Sequence, residues 1–191
     1  MQKSILFTCG LVTLLGSAMA RVSFGSCPNP VLQANFDMWE FFGVWYEVKR
    51  DSFKLVEDGD CVYANFTSNL DGSVNIRNSK LPASGYRYET DESATPKIDS
   101  AAHYDVKESD FNPNAEFRIV STDYENYAVV YACSPLPLMF KNDDVWIYTR
   151  KSNNTEEFIE SLVAIAKAKI PTYDVNALYN VRQGGNCTYG T

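Results

Sequence analysis

The residues that could perform catalysis in this chain centre on His103, the only histidine among 191 residues. Asp105 lies two positions further on, so a hydrolytic dyad completed by a serine is the chemistry that these residue types would allow. Side chains alternate between the two faces of a strand, and the pattern here places both residues on the solvent face. No nucleophile-elbow sequence accompanies them. We therefore predict that His103 is an ordinary solvated residue, that it ligates no haem, and that the chain is not an enzyme.

The five cysteines do not have the spacing of a metal site. Cys9, Cys27, Cys61, Cys133 and Cys187 form no Cys-x-x-Cys pair, and there is no second histidine to complete a zinc site. No metal is therefore expected. Disulfide formation is the alternative use of these residues, and it requires an oxidising compartment.

The N-terminal residues predict such a compartment. Lys3, the apolar stretch 5–15 and the small-residue site Ala18-Met19-Ala20 together form a secretory signal pattern. We predict a signal peptide over 1–20 and a single secreted, extracellular domain over 21–191. Cleavage removes Cys9 and leaves four cysteines, which indicates two disulfides. No later apolar run approaches the ~20 residues of a membrane-spanning helix, so the protein is not expected to be transmembrane.

The charge of the chain argues against polyanionic partners. The formal net charge is -7, and loss of Lys3 with the leader makes it -8. Nucleic acid and anionic membrane surfaces are therefore not expected as electrostatic partners. The aromatic fraction is high, 14%, which suits both pleated sheets and the wall of an apolar pocket.

Beyond the leader, short strand patterns alternate with turns rich in Gly, Pro, Asn and Asp. Strands are predicted over 43–50, 61–68, 73–80, 86–92, 101–107, 116–122, 126–133 and 144–150. One helix follows, with Asn154 as its expected N-cap, Glu157 as the capping partner and Pro171 as its end. The sequence therefore predicts an all-β fold, an eight-stranded antiparallel up-and-down barrel with one C-terminal helix packed on its outside.

Up-and-down connectivity sorts the loops between the two ends of such a barrel. The start of the first strand, alternate turns and the end of the last strand share one end, so Gly43, Trp45, Asp123 and Arg150 are expected to converge there. We call this end the base. The loops 51–60, 81–85, 108–115 and 134–143 collect at the other end, the mouth. At the base, a guanidinium over an indole is expected to close the barrel as a structural contact.

Strand alternation also predicts which side chains face the interior. The sequon Asn65-Phe66-Thr67 needs an outward Asn65, and Cys61 and Cys133 are also expected to face outward, so their neighbours face inward. The mixture of small, aromatic and amide side chains that results is typical of a small-molecule pocket. The predicted ligand-binding residues are Ala64, Phe66, Val74, Ile76, Asn78, Tyr104, Val106, Ala128, Val130, Trp146 and Tyr148. Glycosylation is predicted at Asn65, with Asn153 as a weaker site.

The mouth loop 134–143 contains an apolar run, Leu136-Pro137-Leu138-Met139-Phe140. One interpretation is a hydrophobic lip, or a contact with a lipid particle or receptor through Leu136, Leu138, Met139 and Phe140. The alternative is that the run folds back over the rim of the barrel. Met139 also suggests a second function, the reduction of lipid peroxides through an exposed methionine that cycles through its sulfoxide.

Three motifs in order resemble the signature regions of the lipocalins: Gly43-x-Trp45-Tyr46-Glu47, the stretch 122–128 and Arg150. Within that family the likeness is to the group that includes apolipoprotein D and the bilin-binding lipocalins. It extends over Cys27-Pro28-Asn29-Pro30, the stretch 64–67, Ala94-Thr95-Pro96 and Cys187, and so covers nearly the whole chain after the leader.

The resemblance implies a secreted carrier that transports or sequesters a small hydrophobic ligand such as a lipid, sterol, retinoid or bilin. No cofactor is implied other than a non-covalent bilin chromophore. A defence protein that captures its ligand without delivering it is a further alternative. The resemblance also implies the disulfide pairs Cys27–Cys133 and Cys61–Cys187, a choice that the residues alone leave open among three.

Overall fold

The computed structural model describes residues 22–51, 59–107 and 115–189. The predicted signal peptide and most of the predicted mouth loops 51–60 and 108–115 lie outside these ranges. Two short 3₁₀ turns occur, at Pro137–Met139 and Val175–Ala177. The helices and strands are β1 Val22–Phe24, α1 Met38–Phe41, β2 Gly43–Asp51, β3 Asp60–Ser68, β4 Val74–Leu81, β5 Tyr88–Lys97, β6 Ser100–Lys107, β7 Ala115–Thr122, β8 Tyr127–Leu136, β9 Phe140–Thr149, α2 Glu156–Lys169 and β10 Leu178–Asn180.

Strands β2 to β9 form a closed antiparallel up-and-down barrel. Each strand pairs with the next in the chain, and β9 pairs back with β2 from Tyr46 opposite Thr149 to Arg50 opposite Trp146. The barrel with an outside helix is the predicted fold, and it is confirmed. Alternation along the strands separates two apolar clusters, an inner cluster within the barrel and an outer cluster between the barrel wall and α2.

Helix α2 packs its apolar stripe against the outside of the barrel. Leu162 and Ala166 are buried there with Val129 and Ile147 of the wall. The predicted capping residue was wrong by one position: the N-cap is Thr155, whose hydroxyl accepts a hydrogen bond from the backbone N–H of Phe158. The amide of Asn154 instead donates to Thr149 and to the carbonyl of Lys151.

The predicted loop 134–143 is largely strand, which corrects the sequence interpretation. Strand β8 runs to Leu136 and β9 begins at Phe140, with a register that is unbroken from Tyr127 opposite Thr149 to Leu136 opposite Phe140. Prolines at 135 and 137 suggested a break. Pro135 is tolerated within the strand, and Pro137 lies at the start of the turn that joins the two strands.

The C-terminal segment completes the barrel wall near the mouth. Arg50 of β2 lies opposite Trp146 of β9 on one side and opposite Tyr179 of β10 on the other, so β10 occupies the edge of β2 that faces β3. The amide of Gln183 then bridges the two strands by donating to the carbonyls of Glu47 and Val62. Residues 178–183 therefore fill a gap between β2 and β3, and we call them the wall segment.

Two disulfides fasten the chain termini to the barrel. They join Cys27 to Cys133 of β8 and Cys61 of β3 to Cys187. These are the pairs that the resemblance implied. The second disulfide holds the wall segment in place from its C-terminal side, because Cys187 follows it in the chain.

Candidate ligand-binding interior of the barrel

Arg150 closes the base of the barrel. Its guanidinium carbon lies 3.7 Å from the ring centroid of Trp45, which is fully buried. Its Nε donates to the carbonyl of Tyr124 at 2.8 Å, and its two Nη atoms donate to three more carbonyls within 3.2 Å, those of Val44, Glu40 and Phe41. Burial lowers the pKa of Arg150, and the charge of Asp123 opposes that shift. The structure thus places Arg150 over Trp45, where the sequence predicted it. Arg150 also holds the surrounding backbone through these hydrogen bonds.

Gly43 and Asp123 shape the same end. Gly43 has φ +99°, and a Cβ atom built there would lie 3.3 Å from Nη1 of Arg150. Asp123 accepts hydrogen bonds from the backbone N–H groups of Asn126 and Tyr127, and so fixes the turn between β7 and β8. Partial burial acts to raise the pKa of Asp123, but these bonds and one from the Asn126 amide lower it overall. Trp45 is fully buried at the base beneath Arg150, which is the structural contact that the sequence predicted.

Most of the predicted interior side chains meet in the inner cluster. Nine of the eleven belong to it, including Phe66, Tyr104 and Tyr148, and Trp146 is partly buried and packs against it. Burial raises the pKa of Tyr104 to about 12, with the charge of Asp37 adding to the shift, so its phenol stays neutral. The inner cluster also holds apolar residues that the sequence analysis did not select: Phe36, Phe41, Ala94, Ala102 and Ile119.

Asn78 is the predicted interior residue that lies outside the inner cluster. It stands opposite Ala64 on β3 and Thr90 on β5, and it is half-buried. Directly opposed residues of an antiparallel pair point to the same face. Asn78 therefore shares the inward face with Ala64, at a level closer to the mouth than Val74 and Ile76.

A charged pair that the sequence did not predict lies on the inward face of β2. Glu47 lies opposite Tyr148 and Arg50 opposite Trp146, and both opposed aromatic residues belong to the interior. A β-bulge between Glu47 and Lys49 inserts one extra residue into the strand, so the simple alternation breaks there. The signal in the sequence was weak, because Glu47 and Arg50 are separated by three positions and alternation alone puts them on opposite faces.

His103 is not the solvated residue that the sequence predicted. It faces out of the barrel, because its neighbours Ala102 and Tyr104 belong to the inner cluster, but it is only 5% exposed. Its Nδ1 lies 2.9 Å from a carboxylate oxygen of Asp99, and its Nε2 accepts from Nε of Arg118 at 3.3 Å. Arg118 stands directly opposite on β7 and covers the ring. Strand alternation predicted correctly that His103 faces outward. It could not predict that Arg118 covers the ring.

Asp105, the other member of the conceivable dyad, is committed to a charge network on the same outer face. It accepts from Nζ of Lys97 at 3.1 Å, and Lys97 also donates to Glu116 at 3.1 Å. Glu116 in turn accepts a hydrogen bond from Arg118. The network links β5, β6 and β7 on the outside of the barrel, so Asp105 has a structural role in the barrel wall.

The hairpin tip between β8 and β9 carries an exposed apolar surface at the mouth. Leu138 and Met139 are 84% and 67% exposed, and both have the left-handed backbone conformation, with φ 62° and 63°. The ring of Phe140 meets that of Phe24 edge to face at 5.8 Å between centroids. We call Val22, Phe24, Leu138, Met139 and Phe140 the rim patch. Leu136, which was also predicted for this surface, is half-buried.

Asn65 lies on the outer face of β3, because its neighbours Ala64 and Phe66 both belong to the inner cluster. Its glycosylation stays a prediction. Asn153 is exposed just before α2, with its side-chain oxygen close to Gly184. In the described ranges, no three His, Cys, Asp or Glu side chains are placed to hold a metal ion. No helix in those ranges is long and apolar enough to cross a membrane.

A closed barrel with one outside helix, a cation stacked on a buried tryptophan at its base and an apolar interior defines a class of protein. Residues 42–184 match the model of the lipocalin / cytosolic fatty-acid binding protein family, and the chain belongs to that family. Members of the lipocalin family bind small hydrophobic ligands.

The chain is similar to apolipoprotein D from several mammals. It is 36% identical to the Bos taurus protein over 148 residues, which cover 76% of this chain and 78% of that one. It is 33% identical to the Macaca fascicularis protein over 160 residues, 83% and 84% of the two chains. Among solved structures, insecticyanin from Manduca sexta superposes with a TM-score of 0.75 at 20% identity over 88% of this chain and 92% of that one, which shows the shared fold.

Proposed function

We propose that the protein is a secreted carrier that holds a small hydrophobic ligand inside the barrel. The observation that carries this proposal is the inner cluster, an apolar interior closed at one end by Trp45 and Arg150. Apolar and aromatic side chains with a few polar groups are typical of ligand pockets. The two disulfides support an oxidising, extracellular location. Membership of the lipocalin family supports a binding role over catalysis.

Tryptophan fluorescence tests the location of the ligand. Trp146 packs against the interior, Trp45 is fully buried at the base and Trp39 is 75% exposed. Binding of a neutral lipophilic probe should quench or shift the emission, and Trp146→Phe should remove most of that change. Trp39→Phe is the matched control and should leave the change intact. A change that survives Trp146→Phe and is lost in Trp45→Phe would place the ligand elsewhere.

Native mass spectrometry of protein from its source, followed by organic extraction, tests what the barrel carries. A bound lipid, sterol or retinoid would be released by the solvent, and a bilin chromophore would be visible as colour. Protein that is empty at source and binds none of these classes in vitro would contradict the carrier proposal.

We further propose that the rim patch contacts a lipid particle or an apolar receptor surface. Its five side chains are adjacent at the mouth and exposed, with Phe24 at 71% and Leu138 at 84%. Leu138→Asp should reduce flotation with neutral phosphatidylcholine vesicles. Leu70→Asp is the matched control, because Leu70 is fully exposed in the β3–β4 turn at the base. Equal flotation of both variants and the wild type would contradict the proposal.

Exposure of Met139 also favours a second candidate function, the reduction of lipid hydroperoxides. The thioether would take one oxygen from the hydroperoxide, giving methionine sulfoxide and the lipid alcohol. Incubation with a lipid hydroperoxide should yield equal amounts of alcohol and of protein with one added oxygen. Met139→Leu should abolish both products, and formation of alcohol without protein oxidation would contradict this function.

A further inference from the structure

A row of aromatic rings lies across the closed end of the barrel. Phe41 lies 4.8 Å from Trp45 between ring centroids, and Phe36 lies 5.4 Å from Phe41. The ring of Tyr104 then meets that of Phe36 edge to face at 6.5 Å. All four side chains belong to the inner cluster. Tyr104 of β6 therefore lies at the deep end of the interior, beside the residues that close it.

The hydroxyl of Tyr104 makes no hydrogen bond within the described part of the chain, although the residue is only 4% exposed. Among the buried side chains of the described ranges, only Ser23 has an unbonded oxygen that is fully enclosed. The Tyr104 oxygen therefore borders open space. A buried hydroxyl without a hydrogen bond is costly, and such a group in a native protein needs a functional explanation.

A second tyrosine beside Phe36 shows how the base uses a phenol for structure. The ring of Tyr124 stacks on Phe36 at 5.9 Å between centroids, and its hydroxyl accepts a hydrogen bond from the backbone N–H of Asp37 at 3.0 Å. Asp37 is the N-cap of α1, so this hydroxyl helps to fix the entrance of the helix. The hydroxyl of Tyr104 holds no such element, and a structural role does not account for it.

The depth of Tyr104 distinguishes it from Asn78, the predicted interior amide. Asn78 also makes no hydrogen bond within the described ranges, but it is half-buried and lies closer to the mouth. Their partners on β5, Thr90 and Pro96, are six residues apart, which is about 20 Å of strand. Water that enters the mouth can bond to Asn78. At the closed end, the group that bonds to Tyr104 has to come from the ligand.

We propose that Tyr104 forms a hydrogen-bonding subsite at the deep end of the barrel, which takes elongated uncharged ligands with a carbonyl or hydroxyl oxygen at the end that enters first. The inference rests on the proposed carrier function. Burial raises the pKa of Tyr104 to about 12, with the charge of Asp37 adding to the shift, so the hydroxyl keeps its proton and donates it to the ligand oxygen. An anion at this depth would exchange its hydration for one hydrogen bond, so an uncharged oxygen is the acceptor that fits.

Three probes with the same number of carbon atoms test the subsite. They are 2-undecanone, undecane and undecanoate, each in competition with the neutral dye N-phenyl-1-naphthylamine at neutral pH. Tyr104→Phe removes only the hydroxyl and should weaken binding of 2-undecanone about three- to tenfold, the usual net value of one hydrogen bond. Undecane has no acceptor and undecanoate keeps its charged head at the mouth, so the affinity for each should change by less than about twofold.

Tyr124→Phe is the matched control, because it removes the same atom from the other phenol beside Phe36. It should leave the affinity for 2-undecanone unchanged and lower the urea midpoint of unfolding, since the N–H of Asp37 loses its acceptor. Tyr104→Phe should leave that midpoint unchanged or raise it, because the hydroxyl it removes is buried and unbonded. A loss of stability in Tyr104→Phe comparable to that in Tyr124→Phe would show a structural hydrogen bond and overturn the inference.

Infrared spectroscopy of 2-undecanone labelled with carbon-13 at the carbonyl observes the hydrogen bond directly. The carbonyl band should lie at a lower wavenumber in the wild-type complex than in the Tyr104→Phe complex, because a donated hydrogen bond weakens the C=O bond. The same band in both complexes, equal weakening of all three probes by Tyr104→Phe, or failure of 2-undecanone to displace the bound dye would overturn the inference and leave the carrier function standing. Failure of the dye and all three probes to bind the wild type would overturn both.

Discussion

Arg150 combines two roles that are usually separate, because it stacks on an aromatic ring and also bonds to four carbonyls of the surrounding backbone. Arg150→Ala should lower the free energy of unfolding by about 2–4 kcal/mol, since the cation–π contact and several charge-assisted hydrogen bonds disappear together. Urea denaturation measures this loss. Arg150→Lys keeps the charge without the planar fork and should fall between the wild type and the alanine variant.

The interior should still bind a neutral lipophilic probe in the folded Arg150→Ala protein, because the base lies away from the mouth. An alanine variant of unchanged stability that had lost probe binding would instead place Arg150 in the ligand site.

Single residues also show where sequence reasoning succeeds and fails. Alternation placed Phe66, Val130 and Trp146 correctly, because their strands are regular around them. Alternation failed for Glu47 and Arg50, because a bulge inserts an extra residue between them and no local sequence pattern indicates that bulge. Alternation predicted that His103 faces outward but did not predict its burial, because the side chain that covers it, Arg118, lies on another strand. The face to which a side chain points is a local property of its strand. A bulge, or the burial of an outward side chain, depends on the neighbouring strand.

At the scale of elements, the start of α2 depends on one hydroxyl. Thr155 caps the helix through the backbone N–H of Phe158 at 3.2 Å. Thr155→Ala should cost about 1 kcal/mol of unfolding free energy, as is usual for a lost N-cap. Thr155→Ser keeps the acceptor and serves as the control in the same chemical denaturation. Equal stability of the alanine and serine variants would show that this cap contributes nothing.

The turn between β7 and β8 should be sensitive to acid through Asp123. Its folded pKa is lowered below the ordinary value of 3.8, so its contribution to stability is present at neutral pH and is lost as the pH falls through the folded pKa. Asp123→Asn should therefore be less stable than the wild type at neutral pH, and the difference should shrink below about pH 4. Unfolding free energies measured across this range check the sign. A difference that stayed constant down to low pH would exclude Asp123 as its source.

Regular elements were predictable, and the irregular ones were not. The eight barrel strands have clear apolar alternation bounded by turn residues. The wall segment and β1 have too few residues for a pattern, and each is a strand only because a barrel edge accepts its backbone hydrogen bonds. Strand β8 extends past Pro135 because its partner strand β9 continues the ladder. Pairing with another strand decided each of these cases.

At the scale of the whole molecule, the two disulfides offer a matched comparison. They span similar lengths of chain, 106 and 126 residues, so the chain-entropy model gives each about 4–5 kcal/mol at most. Cys27→Ser/Cys133→Ser and Cys61→Ser/Cys187→Ser should therefore lower the unfolding free energy by similar amounts.

Ligand affinity should distinguish the two variants. Loss of Cys61–Cys187 also releases the wall segment beside Arg50, and so should weaken binding of a neutral probe more than loss of Cys27–Cys133. Fluorescence titration of both variants measures this. Weaker binding in the Cys27/Cys133 variant alone would contradict this role of the wall segment.

The barrel and its family could be predicted because many residues of the sequence indicate them. Among these are the Gly43-x-Trp45 motif, the 122–128 turn and Arg150. The identity of a ligand depends on few residues and on their exact placement. Glu47, Arg50 and Tyr179 meet near the mouth although β2 and β10 are far apart in the chain, and Arg50 reaches the interior only through the bulge. No periodicity in the sequence brings such residues together.

The wall segment has a consequence for how the protein is made. Residues 178–183 follow all eight barrel strands in the chain, and they therefore leave the ribosome after those strands. Until they emerge, β2 and β3 have no bridge at the mouth, and the nascent barrel carries an open seam with unpaired backbone groups. Closure must wait for residues 178–183 to emerge, so a messenger truncated before their codons would yield an unsealed barrel even though all eight barrel strands had been translated.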